Sequence, residues 1–420
     1  MPPDLHLLSP KGFRAAAVHA GIRTASRAPD VGLLVCDALV PAAAVFTTSK
    51  VIAAPVKVAR EHVAHGRLRA VVVNAGNANA CTGLHGELDA RHACATVADT
   101  VGCDPRHVLP CSTGIIGHLL PMQKLERGIR AAAAARALGS TPRHAARFAD
   151  AILTTDTVRK TAAAQVKFGG GGARSVARIA GVCKGSGMIA PRMSVNSDAL
   201  EALGIRHATM LAFLTTDAKV SPTVLRDALA RATEATFNAV TVDQHTSTND
   251  TAVILASGAG GARVSSQSDV RNFTAALTDV CRALAYQIAA DGEGATKVVT
   301  VIVSHAPDEP AARAIARSIA DSPLVKCAMH GNDPNWGRIV SAAGYAGVAF
   351  DPERATLALQ GRIVFRHGQP VTYDERQLSK LLAAREVSVH LSCGNGKSTA
   401  TCWTCDLSAD YVRINADYRT

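Results

Sequence analysis

Small hydroxyl and glycine residues gather at points along this chain where nucleophilic chemistry would need them. Asn74–Asn79, Ser112–Gly117, Thr154–Thr157, Lys184–Met188, Thr215–Asp217, Thr246–Thr251, Asp291–Lys297 and Gly331–Gly337 are each rich in Gly, Asn, Asp, Ser or Thr. Alone, any of them reads as a turn, because these residues favour turns for backbone reasons. Together, set beside apolar segments, they predict one polar site assembled from several loop ends. Hydroxyl nucleophiles and backbone N–H donors suit acyl transfer better than redox chemistry.

Other motifs carry less. Gly394–Thr399 ends like a phosphate-binding loop, but Leu391 stands where that loop needs its first glycine, so a turn is expected. Cys402 and Cys405 have the spacing of a zinc pair, yet only Cys393 lies nearby and Trp403 sits between them, which fits a packed strand with structural thiols. His62 and His65 lie on a predicted helix with no third ligand and read as solvated histidines. Nucleophile-elbow, zincin and dinucleotide-binding patterns are missing from the sequence.

The elements that must position these loops alternate along the chain. Val31–Val35, Ala70–Val73, Val176–Ala180, Ala252–Leu255, Val298–Val303 and Ala355–Leu359 read as strands. Arg127–Leu138, Pro222–Thr236, Arg271–Ala290 and Ala311–Ile319 have helical spacing, and Gly169–Gly172 reads as a hairpin or loop between strands. The mixture predicts an α/β or α+β architecture of packed layers. At 420 residues, two or three domain-sized units are expected.

Composition narrows the class. Hydrophobic residues at 48% with 19% charged residues exclude a disordered chain. The most apolar stretch, Val31–Phe46, is interrupted by Asp37 and Pro41 and falls short of the roughly 18 residues that a membrane span needs. A net charge of +11 invites nucleic acid, but the arginines are scattered singly and aromatic platforms are few, so neither nucleic acid nor membrane is expected as a partner. Eleven cysteines are too sparse for a disulfide scaffold and imply free thiols in a reducing, cytoplasmic setting. The first thirty residues show no signal-peptide pattern, and their Lys11, Arg14, Arg23 and Arg27 give only a faint transit-peptide character.

Lys184–Pro191, followed by Ala208–Ala218, resembles the signature of the ornithine acetyltransferases, the bifunctional glutamate N-acetyltransferases of arginine biosynthesis. The resemblance runs nearly end to end. It includes Pro10–Phe13, Val45–Thr48, Ser112–Gly114, Phe237–Asn238, Asp291–Gly294, Gly331–Arg338, Cys405–Leu407 and Asp410–Thr420. It implies a layered α-β-β-α sandwich of the self-processing ornithine acetyltransferase and aminopeptidase type, with two intertwined halves. It also implies self-cleavage between Ala208 and Thr209, giving an alpha chain of residues 1–208 and a beta chain of residues 209–420. A new N-terminal Thr209 would carry its own base, since an α-amine titrates at about 7.7–8.0.

Position by position, the resemblance makes Thr209 the nucleophile that takes the acetyl group, and Thr113 and Gly114 the oxyanion-hole pair. It makes Thr154, Lys184, Glu293, Asn415 and Thr420 substrate contacts, with Lys184 suited to a carboxylate and Glu293 to the ornithine ammonium. The reaction implied is ping-pong, from N-acetylornithine to glutamate, in a heterotetramer of two alpha and two beta chains. No metal or organic cofactor is implied; acetyl-CoA is a candidate second donor.

The sequence departs from the family pattern at several places. Fourteen extra residues, Ser194–His207, precede the cleavage site. Gln244, His245, Cys111, Cys402 and Thr404 replace residues usual in the family. Three alternatives therefore stand beside the transferase. One is an aminopeptidase of the related self-cleaving fold, with water as acceptor. Another is a paralogous acyltransferase acting on a different amino acid. The third is an uncleaved homologue serving as a binding or assembly subunit.

Overall fold

The computed structural model describes residues 5–24, 26–134, 136–169, 175–195 and 209–417. These residues fold as two compact units. The first comprises the chain up to Asn238 together with His245–Leu284, and the second comprises Ala239–Gln244 with the chain from Ala285 onward.

The first unit contains β1 (Phe13–Val18), β2 (Val31–Thr47), α1 (Ala54–Val63), β3 (Arg67–Asn77), α2 (Gly83–Val101), β4 (Val108–Ile115), α3 (Met122–Ala133) and α4 (Pro142–Ala151). It continues with β5 (Lys160–Lys167), β6 (Val176–Lys184), β7 (Met193–Ser194), β8 (Leu211–Thr216), α5 (Pro222–Ala235), β9 (Thr251–Ala256) and most of α6 (Gln267–Ala290). Its sheet runs in the order β4-β3-β2-β9-β8-β6-β5, with β1 and β7 also on β2.

The long strand β2 organises this sheet. Its first half pairs with β1 and β3, as in Leu33 opposite Val72, and its second half pairs with β9, as in Ala44 opposite Val253. The strand read at Val31–Val35 is longer than expected: it continues through Asp37 and Pro41 to Thr47. The register shifts between Val35 and Val40, and the exposed Asp37 falls in that irregular stretch. A bulge of this kind bends a strand and admits a proline without losing a ladder bond.

Alternation then sorts the side chains. Leu34, Val71, Val73 and Leu109 share a core with Leu211, Phe213, Val253 and Leu255, joined by Val56 of α1 and Phe148 of α4. Phe148 meets Phe213 edge-on at 5.3 Å. On the opposite face, Leu33, Val35, Val72 and Val108 pack against Ala93 and Val97 of α2 and Leu125 and Ile129 of α3. At the far side of the sheet, Gly181 leaves room for Leu284 of α6, since a Cβ there would lie 3.0 Å from it. The unit is layered helix–sheet–sheet–helix. Strands from before and after Thr209 interleave in it, β8 lying between β6 and β9.

The second unit contains β10 (Val298–Ala306), α7 (Glu309–Asp321), α8 (Pro323–His330), α9 (Trp336–Gly344), β11 (Thr356–Leu359), β12 (Arg362–Arg366) and β13 (Gln369–Pro370). It ends with α10 (Glu375–Leu382), β14 (Glu386–Ser392), β15 (Ser398–Cys405) and α11 (Ala409–Asp417). The sheet order is β13-β12-β11-β14-β10-β15. Val299, Val301 and Val303 pack against Ile315 and Ile319 of α7, Met329 of α8 and Ile339 of α9. The helices start where polar caps allow it. Asp308 accepts from Ala311 N at 2.8 Å and Ser322 from Val325 N at 3.4 Å, each followed by a proline in the first turn.

Several sequence expectations change here. His62 is not solvated: α1 turns it inward, 3% exposed, with Nδ1 2.7 Å from Val108 O, whereas His65 is exposed. The helix read at Arg127–Leu138 runs instead over Met122–Ala133. The glycine run falls between the antiparallel pair β5 and β6, and its residues 170–172 lie outside the described residues. All eleven cysteines are free thiols, including Cys402 and Cys405 in β15.

Candidate active site

Thr209 sits at the head of β8, where the parallel neighbour β9 also begins, with Leu211 opposite Thr251. The Thr246–Thr251 loop that feeds β9 therefore lies beside it. Thr209 Oγ1 is 2.5 Å from Ser247 Oγ, which also accepts from Asn249 N at 2.8 Å. Thr47, at the end of β2, donates its hydroxyl to Ser247 O at 2.5 Å. Asp250 accepts the backbone N–H of Met210 and, at 3.3 Å, that of Ser247. The nucleophile candidate is thus held from both sides by one loop, and it is only 9% exposed.

The same loop reaches the predicted oxyanion residues. Asn249 Nδ2 donates to Ala78 O at 2.7 Å and to Ser112 O at 3.0 Å. Ser112 in turn donates to Asn74 Oδ1 at 2.6 Å. Thr113, 1% exposed, and Gly114 follow directly at the end of β4. Gly114 has φ +133°, and a Cβ on it would lie 2.4 Å from the Gly76 carbonyl carbon. Only glycine permits that approach of β4 to β3, where Gly114 stands opposite Gly76 and the register then shifts.

Lys184 ends β6, and its Nζ lies 3.4 Å from Thr209 O. Behind it stands Asp156, its side chain fully buried. Asp156 Oδ1 takes Lys160 Nζ at 2.7 Å and Gly185 N at 2.6 Å; Oδ2 takes Thr154 N at 3.1 Å and faces Lys184 Nζ at 3.9 Å. Burial alone would raise the Asp156 pKa, but the Lys184 and Lys160 charges outweigh it and hold it at about 2. Asp250 goes the other way. Desolvation lifts its carboxyl well above the usual range, against the Met210 N–H and the Lys184 charge.

The structure therefore gathers Thr209, Thr154, Lys184 and the strand end bearing Thr113 and Gly114 within the first unit. Glu293 and Asn415 meet in the second unit, where Asn415 Nδ2 donates to Glu293 Oε2 at 2.8 Å. Ala208 and Thr420 lie outside the described residues, as do residues 196–207 of the Ser194–His207 insertion. The expectation that all the polar clusters form one site is corrected for Thr215–Asp217, which closes the opposite end of β8. There Thr215 donates to Leu7 O at 2.6 Å, and Asp217 receives Lys11 N and Arg178 N.

Sequence reasoning singled out none of Ser247, Asn249, Asp250, Asp156 or Lys160 individually. The first four lie inside clusters it named. Lys160 gave no signal, because it opens a short alternating strand. Among the described residues, no group of His, Cys, Asp and Glu could hold a metal ion, and no helix is long and apolar enough to cross a membrane.

A buried hydroxyl with a hydroxyl partner, a loop linking it to the strand end that bears Thr113 and Gly114, and a lysine at the carbonyl form a set suited to acyl transfer. The chain is 43% identical over 423 residues to the arginine biosynthesis bifunctional protein ArgJ of Rhodopirellula baltica, covering 100% of this chain and 98% of that protein. It is 44% identical to the protein of the same name from Symbiobacterium thermophilum, covering 98% of each. A crystal structure of the arginine biosynthesis bifunctional protein ArgJ from Bacillus halodurans is 40% identical, covers 49% of this chain and 97% of that one, and superposes with a TM-score of 0.47. The ArgJ family model matches residues 14–420, and the chain belongs to the ArgJ family.

Proposed function

We propose that this chain is an acetyltransferase of arginine biosynthesis that carries the acetyl group on Thr209, from N2-acetylornithine to glutamate. One observation supports the reading above the others. The Thr209 hydroxyl lies 2.5 Å from Ser247 at the head of a strand, inside a buried network that runs through Asn249 to the residue before Thr113.

The chemistry begins with maturation. Thr209 Oγ attacks the Ala208 carbonyl carbon, the C–N bond breaks as the ester forms and so frees the Thr209 amine, and water hydrolyses the ester to restore the Thr209 hydroxyl and leave Ala208 as a carboxylate. That amine takes the hydroxyl proton when Thr209 attacks acetylornithine, and passes it to the departing ornithine amine. The Thr113 hydroxyl and the Gly114 N–H stabilise the oxyanion. Glutamate then takes the acetyl group from the ester. Lys184 binds the substrate carboxylate, with Thr154 beside it, and Glu293 with Asn415 and Thr420 receives the ornithine end. This assignment needs no cofactor. Acetyl-CoA as a second donor, assembly as two alpha and two beta chains, and a cytoplasmic setting belong to the same proposal.

Denaturing mass measurement of wild type and Thr209→Ala tests it. Two fragments with a new Thr209 N-terminus from wild type, one intact chain from the variant, and acetyl transfer only in the former are expected. An intact wild-type chain with full transfer activity refutes it.

A further inference from the structure

The hydrogen bond between Glu293 and Asn415 joins two elements of the second unit. Glu293 lies in the loop 291–297 between α6 and β10, and Asn415 lies in α11. Further contacts between these elements come from the residues just before α11. Asp406 has a fully buried side chain, and four groups converge on its two oxygens. Thr296 N and Lys297 N donate to Oδ1, each at 2.8 Å. The Thr296 hydroxyl donates to Oδ2 at 2.6 Å, and His330 Nδ1 faces the same oxygen at 2.7 Å. Burial alone would raise the Asp406 pKa, but these hydrogen bonds outweigh it and lower it, so a carboxylate is held here. Two residues on, Ser408 donates its hydroxyl to Gly294 O at 2.6 Å. Gly294 has φ +69°, and a Cβ on it would lie 2.5 Å from Tyr411 N, in the first turn of α11.

We propose that Asp406 and Ser408 are positioning residues for the ammonium contact at Glu293. Asp406 anchors the loop beyond Glu293, at Thr296 and Lys297, and Ser408 anchors it at Gly294, next to Glu293 itself. Both anchors lead directly into α11, so one clamp sets the loop that carries Glu293 and the helix that carries Asn415. Neither side chain touches substrate in this reading; each keeps the Glu293 carboxylate and its Asn415 partner in register. The Cys405–Leu407 motif thereby gains a task that the acyl-transfer chemistry does not give it. The proposal rests on the reading of Glu293 as the contact for the ornithine ammonium.

Asparagine at position 406 offers one oxygen and one NH2 group in place of two oxygens, so part of this set would face a donor instead of an acceptor. The loop then loses its anchor, and a displacement of about 1 Å in a positioning group can cost on the order of 10²-fold. The test uses the full chain, with circular dichroism to check folding and glutamate at saturation. Its two acetyl donors, N2-acetylornithine and N2-acetylnorvaline, differ only in the side-chain ammonium. Wild type is expected to prefer the ornithine compound. Asp406→Asn is expected to lower kcat/KM for N2-acetylornithine about tenfold while that for N2-acetylnorvaline changes less than about threefold, so the preference falls. A merely structural role lowers both donors alike and leaves the preference where it was. Ser408→Ala should lower the preference about threefold or more, and Ser408→Thr, which keeps the hydroxyl, should restore it.

Glu293→Gln separates this proposal from the reading on which it rests. That variant should abolish the preference; if the preference survives, Glu293 is not the ammonium contact, and the proposal falls with that reading. If Glu293→Gln abolishes it while Asp406→Asn and Ser408→Ala both keep it within about threefold of wild type, the reading stands and the positioning role is overturned. Where Asp406→Asn fails to fold, the Ser408 pair decides. A preference that falls about threefold or more in Ser408→Ala and returns in Ser408→Thr supports the proposal, and a smaller fall, or one that Ser408→Thr does not reverse, overturns it.

Discussion

Ser247→Ala is the most direct perturbation of the proposed nucleophile, Thr209. In the folded chain, Ser247 Oγ touches Thr209 Oγ1 at 2.5 Å and accepts from Asn249 N at 2.8 Å, and all three residues are buried. Alanine leaves the Asn249 N–H without that acceptor, which costs about 1–3 kcal/mol of stability. It also frees the Thr209 hydroxyl from a fixed direction, and a misplacement of about 1 Å in a reacting group costs on the order of 10²-fold in rate. The expectation is therefore a fall of about 10- to 100-fold in the rate of acetyl-enzyme formation, with KM for glutamate within about threefold, since Ser247 faces Thr209 and not the proposed carboxylate site at Lys184. The assay is a single-turnover burst with N2-acetylornithine, normalised to the matured fraction measured by mass and accompanied by a thermal melt. A burst rate within twofold of wild type would refute the claim that this hydrogen bond orients the nucleophile. A melting temperature unchanged alongside it would also refute the stability estimate.

Other outcomes follow from the same geometry. Gly114→Ala places a Cβ against the Gly76 backbone at a φ that side chains rarely adopt, so the acylation rate should fall about 100-fold or more; a loss below tenfold would remove Gly114 from the oxyanion position. Thiol titration of the native protein should modify the exposed Cys81 and Cys327 quickly and Cys103 more slowly, while the eight buried cysteines react only after denaturation; rapid native labelling of more than three would contradict their burial. Asp250 has a folded pKa raised above its unfolded value, so its contribution to stability is present at acid pH and is lost as pH rises from the ordinary carboxylate range through the folded pKa. The stability of wild type relative to Asp250→Asn should therefore fall as pH rises above the ordinary carboxylate range, whatever constant offset the lost acceptor adds; a difference independent of pH would show Asp250 unshifted.

How far the sequence could be read depended on whether a residue's partners were close in the chain. Strands such as Val298–Val303 and helices such as Pro222–Thr236 carry their period and their caps locally, and they lie where the pattern puts them. The path of β2 through Asp37 and Pro41 was not legible. Both residues argue for an interruption, and only the β3 pairing that resumes at Val40 and Pro41, followed by the β9 pairing from Ala42, shows that the strand runs on past a bulge. His62 failed for a similar reason: its ring is satisfied by a carbonyl 46 positions away, on a strand that the local sequence does not announce.

The polar clusters show the same boundary from the other side. Their composition marked Thr154–Thr157, Lys184–Met188 and Thr246–Thr251 together, and the fold brings these three close to Thr209, because turn residues at strand ends are where backbone N–H groups and hydroxyls become available. Composition alone could not separate them from Thr215–Asp217, which has the same residue types at the other end of β8. There the polar groups bind the segment around Leu7 and Lys11 instead of facing Thr209. A strand has two ends, and sequence does not say which end its neighbours share. In the first unit that choice is made by the parallel pairing of β8 with β9, which sets Thr209 beside Ser247 across 38 positions of chain. Lys160 sits beyond even that level of inference. Its buried pair with Asp156, which also faces Lys184 of the next strand, becomes visible only when the β5–β6 hairpin places Lys160 opposite Cys183.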